Sequence, residues 1–417
     1  MGKKFFLFAL VFFVFLCPLA ESQTALDTGD LIFKIAVYGP SDEIFIWWGH
    51  AALIVDNTQW GFSRVFDWGI FSYPSDNFLV DFVKNRVQYQ VTSGSLYLKE
   101  YTDEDRDITI YTLDLDEKSK EDILSYAENK VLPENCYYDY HEFKDNCSTG
   151  VRDILNLGTG GQLKAAFDSI PGRLPFRQHV RRYTSAKPVP DWILDFLMGR
   201  NLDKPISVWD EMFLPREIGR NIKDFRYKDN SGAERDLVKS VEIIHASKSR
   251  VPVPNEPFTV WPLHLSIGIN LAFIFLIIKK LREVYPETGR IFFGLLQSLL
   301  GLIFGGLGCV LFFGLFILPY DYIRQNINIL FINPLFLFIV PLGILTAFGL
   351  LPRFNPEKYL RFFWAYIFAA GFITILIGFI PGFFQHNQPA QMIILPMAFI
   401  LMEPEELFRK APPFLTA

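Results

Sequence analysis

Two kinds of hydrophobic patterning divide the chain. Up to about residue 258 the apolar positions come in short runs broken by charge; from Trp261 onward they form stretches long enough to cross a bilayer. In the first part, residues 51–55 are a continuous apolar run closed by the turn signal Asp56-Asn57, which reads as a buried strand. Residues 65–70 read as a second strand, and residues 107–115 as another. Val87, Tyr89 and Val91 alternate with Gln88, Gln90 and Thr92, the pattern of a half-buried strand. Ser119 with Asp122 opens a helix whose Ile123, Leu124, Ala127 and Val131 share one face. A further helix is expected from Cys147, capped by Asp145 or Asn146, with Val151, Ile154 and Leu155 at helical spacing and Gly158 at its end. Strands first and this helix after them point to an α+β domain.

The second part holds apolar stretches at 261–278, 291–318, 327–351, 360–380 and 390–402, the last short and interrupted by Pro396. Seven basic residues (Lys279, Lys280, Arg282, Arg290, Arg353, Lys358 and Arg361) fall in the loops on one side of these stretches, against Arg324 on the other. By the positive-inside rule the seven are cytoplasmic and residues 23–258 lie outside. The N-terminus agrees: Lys3-Lys4, an apolar run over residues 5–16 and then Pro18-Leu19-Ala20-Glu21-Ser22 read as an export leader cleaved after Ser22, with an uncleaved anchor as the alternative. Leu16 before Cys17 argues against a lipoprotein signal. The expected organisation is a leader over 1–22, an extracytoplasmic domain over 23–258, a bundle of four or five spans over 259–405 and a cytoplasmic tail over 406–417, in a bacterial inner membrane. Residues 246–262, rich in Pro, Ser and charge, read as a linker.

Composition changes this picture little. A net charge of −5 argues against a nucleic-acid binder, and 43 phenylalanines suit membrane spans. Four cysteines are too few for a disulfide scaffold, although pairing of Cys136 with Cys147 would remove a thiol from chemistry. With no Gly-rich phosphate loop and no paired Cys or His spacing, no metal or cofactor is expected. Asp103-Glu104-Asp105-Arg106-Asp107 lacks the glycine of a calcium loop and reads as a solvated turn. Trp209, Met212, Phe213 and Leu214 read as domain core or as a membrane-surface contact.

The candidate chemistry is a Cys–His pair. Cys147, in a first helical turn, feels the positive end of the helix dipole, which favours thiolate. His50 follows Gly49 at the head of a predicted buried strand, and Asp67 stands on the next strand, where an antiparallel neighbour could orient the imidazole. His141, six residues before Cys147, is the competing base; His179, His245, His264 and His386 are weaker candidates.

Trp48-Gly49-His50, Asp67-Trp68-Gly69 and Asn146-Cys147-Ser148-Thr149, with Phe176-Arg177, Asp203 and Phe213-Leu214-Pro215, carry a resemblance. The chain resembles the lecithin–retinol acyltransferase and NlpC-like superfamily of permuted papain order. Over roughly residues 25–225 it is closer to the Lnb-type domain, named for lipoprotein N-acyltransferase. The resemblance implies an α+β permuted papain-like extracytoplasmic domain followed by an all-α transmembrane bundle. It makes Cys147 the nucleophile, His50 the base and Asp67 the orienting group, though many relatives have a second histidine at that last position. It implies transfer of an acyl chain from a membrane phospholipid to the α-amine of the lipidated N-terminal cysteine of lipoproteins. Trp48, Asn146, Tyr140, His141 and Arg177 are the supporting or substrate-binding candidates, Arg177 either for a phosphate or in a structural salt bridge. The competing expectations are a cell-wall peptidase or amidase using the same pair, and a non-catalytic membrane assembly protein.

Overall fold

The computed structural model describes residues 28–71, 89–96 and 98–405. The expected leader, Val87, Gln88 and the expected tail lie outside the described residues. An N-terminal domain of mixed α and β elements carries a large sheet, and a helical region with four apolar helices follows it. In chain order the domain runs β1 (Leu31–Tyr38), β2 (His50–Asn57), β3 (Phe62–Ile70), β4 (Tyr89–Ser95), α1 (Leu98–Asp103), β5 (Ile108–Leu113), α2 (Glu117–Lys130), β6 (Tyr137–Tyr138) and α3 (Cys147–Gly158). It continues through α4 (Gln162–Phe167), α5 (Phe176–Thr184), α6 (Pro188–Leu197), α7 (Val208–Glu211), α8 (Pro215–Ile222), β7 (Arg226–Lys228), β8 (Glu234–Asp236) and β9 (Val238–His245). The sheet order is β6-β4-β3-β2-β1-β5-β9, with every neighbouring pair antiparallel.

β2 is apolar on both sides because the sheet is covered on both sides. Ala51, Leu53 and Val55 join Ile123, Leu124 and Ala127 of α2 and Val151, Ile154 and Leu155 of α3 in the main core. Ala52 and Ile54 pack instead with Ala36, Val65, Ile108 and Ile110, against Leu98 and Tyr101 of α1. The α2 cap is Asp116, whose carboxylate accepts the Ser119 N–H at 2.8 Å, and Val131 lies just past the helix end. A carboxylate one turn upstream outcompetes the serine as the cap. Trp209, Met212, Phe213 and Leu214 are buried as core.

The stretch after β9 is tied down. Asp105 accepts from His245 Nε2 at 2.8 Å, the Ser249 N–H at 2.8 Å and its hydroxyl at 2.6 Å. Together with the Lys248 N–H these contacts hold its carboxyl well below the usual range. The acidic turn is therefore a docking point for residues 245–250, of which sequence alone reads 246–250 as the beginning of a linker.

The helical region comprises α9 (Trp261–Val284), α10 (Pro286–Phe316), α11 (Ile339–Phe348), α12 (Pro356–Ile377) and the shorter α13 (Gln388–Leu401), which contains Pro396. Four segments are long and apolar enough to cross a membrane: α9, α10, the segment Ile327–Phe348 that ends in α11, and α12. The third is broken into two short 3-10 turns before α11, each capped by an asparagine, Asn326 and Asn333. Small residues let the helices approach closely: a Cβ at Gly294 would lie 2.3 Å from the Gly343 carbonyl oxygen. Basic and acidic side chains gather at one end, where Arg282 meets Glu357 at 2.8 Å and Glu403 meets Lys279 at 2.9 Å and Arg361 at 3.1 Å. The opposite end, residues 320–328 and 382–387, holds the N-terminal domain.

α3 meets the sheet through Gly150, where a Cβ would stand 2.6 Å from the Trp68 indole. Gly150→Ala forces helix and strand apart, and overpacking of this kind costs about 1–3 kcal/mol. The expected outcome is a lowered thermal midpoint for the purified chain in detergent, read by near-UV circular dichroism. An unchanged midpoint would mean that α3 can shift freely.

Candidate active site

The chain reaches His50 through a constrained turn. Trp48 packs into the cluster of Phe143, Val180, Phe213 and Leu214, and its indole N–H donates to the Val180 carbonyl at 3.4 Å. Gly49 then takes φ +88°, where any Cβ would meet the Tyr38 carbonyl oxygen at 2.5 Å, so only glycine fits. His50 consequently occupies the first position of β2. Strand parity puts it on the same face as Ala52, whose register partner on β3 is Asp67. The diagonal neighbours meet: His50 Nε2 lies 2.9 Å from Asp67 Oδ1, with Asp67 buried and 14% of the His50 side chain exposed. Nδ1 is the ring nitrogen left for Cys147.

Cys147 opens α3, and local sequence fixes that start. Asn146 caps the helix: its side-chain oxygen accepts the Thr149 N–H at 2.9 Å, while the Thr149 hydroxyl accepts the Asn146 N–H at 2.7 Å. The Asn146 amide also donates to the carbonyls of Glu142 at 2.7 Å and Phe213 at 3.0 Å. Asn146 is therefore a structural cap, tied on both sides. The half-buried Cys147 thiol is hydrogen-bonded to His50 and receives the backbone N–H groups of Ala51 and Ser148.

The electrostatics follow from this closeness. Burial on its own pushes the thiol up and the imidazole down, toward two neutral groups. The attraction between thiolate and imidazolium, with their hydrogen bond, reverses both shifts. Cys147 falls below its ordinary value, helped by the Ala51 and Ser148 amides; His50 rises well above its own, helped by Asp67. The tyrosines alongside respond oppositely: burial first, then the Cys147 charge, raise Tyr140 and Tyr138 and keep their hydroxyls protonated. Tyr140 stacks on Tyr89 at 4.3 Å and packs against Gly69, which leaves no room for a side chain there. An ion pair of this kind can attack an acyl carbonyl and pass a proton to the leaving group.

The other expected site residues are elsewhere. His141 does not face Cys147: Nε2 lies 2.8 Å from Asp321 Oδ1, and Nδ1 accepts the Phe143 N–H at 3.1 Å. Asp321 also pairs with Lys144, and the Tyr322 hydroxyl donates to Glu142 at 3.0 Å. The loop leading to Cys147 is thus held by the connection between the second and third apolar segments. Arg177 is wholly buried, with its donors committed to protein groups. Its donors go to Asp203 at 2.8 and 3.0 Å, to Asp195 at 3.0 Å and to the carbonyls of Asp195, Met198 and Gly199. It ties α5 to residues 195–203, the salt-bridge role of the two expected. Cys136 and Cys147 are both free thiols. Among the described residues, no three His, Cys, Asp or Glu side chains converge as a metal site requires.

Residues 24–186 match the family described as the Lnb N-terminal periplasmic domain, a span that includes His50, Asp67 and Cys147. No curated protein and no solved structure matches the chain. The match supports an Lnb-type family member. With the four membrane-capable helices it describes a membrane protein with a periplasmic N-terminal domain.

Two measurements check the geometry. The rate of Cys147 alkylation by iodoacetamide should titrate below the ordinary cysteine value of about 8.5. The thiolate is lost only as pH falls through the lowered value, and in His50→Gln the midpoint should move up; equal profiles would contradict the ion pair. Asp321→Ala should raise amide hydrogen exchange about tenfold across residues 140–147, a gain of roughly 1.4 kcal/mol in local opening, while the sheet is unaffected. Unchanged exchange there would show that the clamp does not hold the loop.

Proposed function

We propose that this chain is a lipoprotein N-acyltransferase of the bacterial inner membrane, built on a permuted papain-like domain with Cys147 as nucleophile. The observation that carries the reading is where the pair is mounted. The loop running into Cys147 is fastened to Asp321 and Tyr322, at the end of the apolar helices opposite their basic end. A site for soluble peptides needs no such mounting; a site for substrates held in a bilayer does.

The reaction runs in two halves. The Cys147 thiolate attacks the ester carbonyl of a membrane phospholipid, and the His50 imidazolium gives its proton to the departing glycerol oxygen. Lysophospholipid leaves and a Cys147 thioester remains. The α-amine of the lipidated N-terminal cysteine, in its neutral form, then attacks the thioester carbonyl as His50 takes a proton from the nitrogen. Collapse yields the amide and restores the thiolate–imidazolium pair. Amines attack thioesters readily while water does so slowly, which favours transfer over hydrolysis. Asp67 keeps the ring oriented and supports the imidazolium in both halves. The backbone N–H of Cys147, in the first turn of α3, would bear part of the charge developing on the carbonyl oxygen.

The test is the mass of N-terminal lipopeptides from one abundant lipoprotein, in a host lacking its own N-acyltransferase. The native chain should add one acyl chain to the amine, and Cys147→Ala should add none. Acylation by both would move the chemistry off Cys147. Acylation by neither, with expression confirmed, would reject the lipoprotein substrate.

A further inference from the structure

α6 (Pro188–Leu197) buries both of its acids and exposes part of its apolar surface. On a helix facing water, carboxylates point outward and apolar residues inward. Here Asp191 and Asp195 are buried, at 1% and 3% exposure, while Val189 and Ile193 stand out at 69% and 39%. The acids are turned inward by buried cations: Asp191 accepts from Arg181 at 3.1 Å and from the Thr184 hydroxyl at 2.7 Å, and Asp195 accepts from Arg177 at 3.0 Å. That network satisfies the charged face internally; Trp192, Phe196 and Leu197 pack inward beside it, and Val189 and Ile193 are left outermost.

Both ends of α6 are fastened to the helical region. At its C-terminal end the Phe196 carbonyl accepts from Asn326 at 2.8 Å and from Asn328 at 3.0 Å, and Trp192, Phe196 and Leu197 pack with the membrane helices. Just before its start the Ser185 hydroxyl accepts the Phe258 N–H at 3.0 Å, three residues ahead of the first apolar helix. Phe258 and Trp261 are themselves about half exposed. The Lys187 ammonium lies 4.2 Å from the ring centre of Trp47, which is three residues from His50.

We infer that α6 is an in-plane membrane helix whose outward face, Val189 and Ile193 with Trp47, Lys187, Phe258 and Trp261, rests in the leaflet facing the N-terminal domain. Its partner is glycerophospholipid: acyl chains meet the apolar face, and Lys187 beside Trp47 sits at the level of the phosphates, as interfacial Lys and Trp do. The surface continues the contact already made by the apolar helices and ends beside the turn that presents His50. Delivery of the donor lipid to Cys147 along it rests on the acyl-transfer reading; the seating of α6 does not.

The full chain, in a Cys147→Ala background and reconstituted in phospholipid vesicles, provides the test. An environment-sensitive fluorophore is attached at Val189→Cys, at Ile193→Cys and, as a control, at Glu121→Cys on the exposed face of α2; the parent without a new cysteine sets the labelling background. Fluorescence at 189 and 193 should be quenched several-fold more by nitroxide lipids labelled near the headgroup than by aqueous iodide, with the reverse at 121. Iodide quenching at 189 and 193 equal to that at 121 would overturn the inference. Shielding from both quenchers would overturn it too, because a second copy or another protein would then cover the face. Catalysis plays no part in the readout, so a failed acyl-transfer assay leaves this result standing, and the converse also holds.

Discussion

Cys147 and His50 each favour the other's charged form in a place where burial favours the neutral one. Burial opposes both charges, and their mutual attraction, with Asp67 on the far side of the ring and two backbone amides at the sulfur, outweighs it. Most of the N-terminal domain can be read as the apparatus that brings the two side chains to that distance. Gly49 allows the turn that sets His50 at the strand end, β3 supplies Asp67 one diagonal away, and the Asn146–Thr149 cap fixes where α3 starts. The substitution of an apolar side chain at either member would strand the other as an uncompensated buried charge or return it to neutrality.

A second set of buried charges joins the domain to the apolar helices. Arg177 binds Asp195 and Asp203, and both acids reach across to His386, Asp195 through its ring at 3.1 Å and Asp203 through its backbone N–H at 3.3 Å. Removing one partner from such a buried network costs on the order of 3–5 kcal/mol, whereas an exposed pair contributes little. The network is therefore a buried joint, and the loop before Cys147 is fastened separately to Asp321 and Tyr322.

How much of this the sequence discloses depends on how local each cause is. The β2 strand, the α3 start and the juxtaposition of His50 with Asp67 rest on short-range rules of parity, capping and pairing, and they are legible. The α2 cap is misread by three residues because Asp116 and Ser119 both suit the position and only the carboxylate's contacts decide. Residues 246–250 look like a linker because their anchor, Asp105, lies about 140 residues upstream. Sequence leaves His141 open as a base because its partner, Asp321, is 180 positions away in an apolar region and gives no local signal. α6 is the clearest limit. Its apolar and acidic residues alternate as on any amphipathic helix, and which face turns inward is set by the distant Arg177 and Arg181 together with their acids.

The central claim is that Cys147 carries the acyl chain between two lipids. The most direct measurement is the intact mass of the purified full chain after incubation with phospholipid vesicles in the absence of any acceptor, quenched in acid. The account predicts an added mass of one acyl chain, removed by neutral hydroxylamine as a thioester is, and absent from Cys147→Ala. An adduct that resists hydroxylamine, or one carried equally by Cys147→Ala, would contradict it.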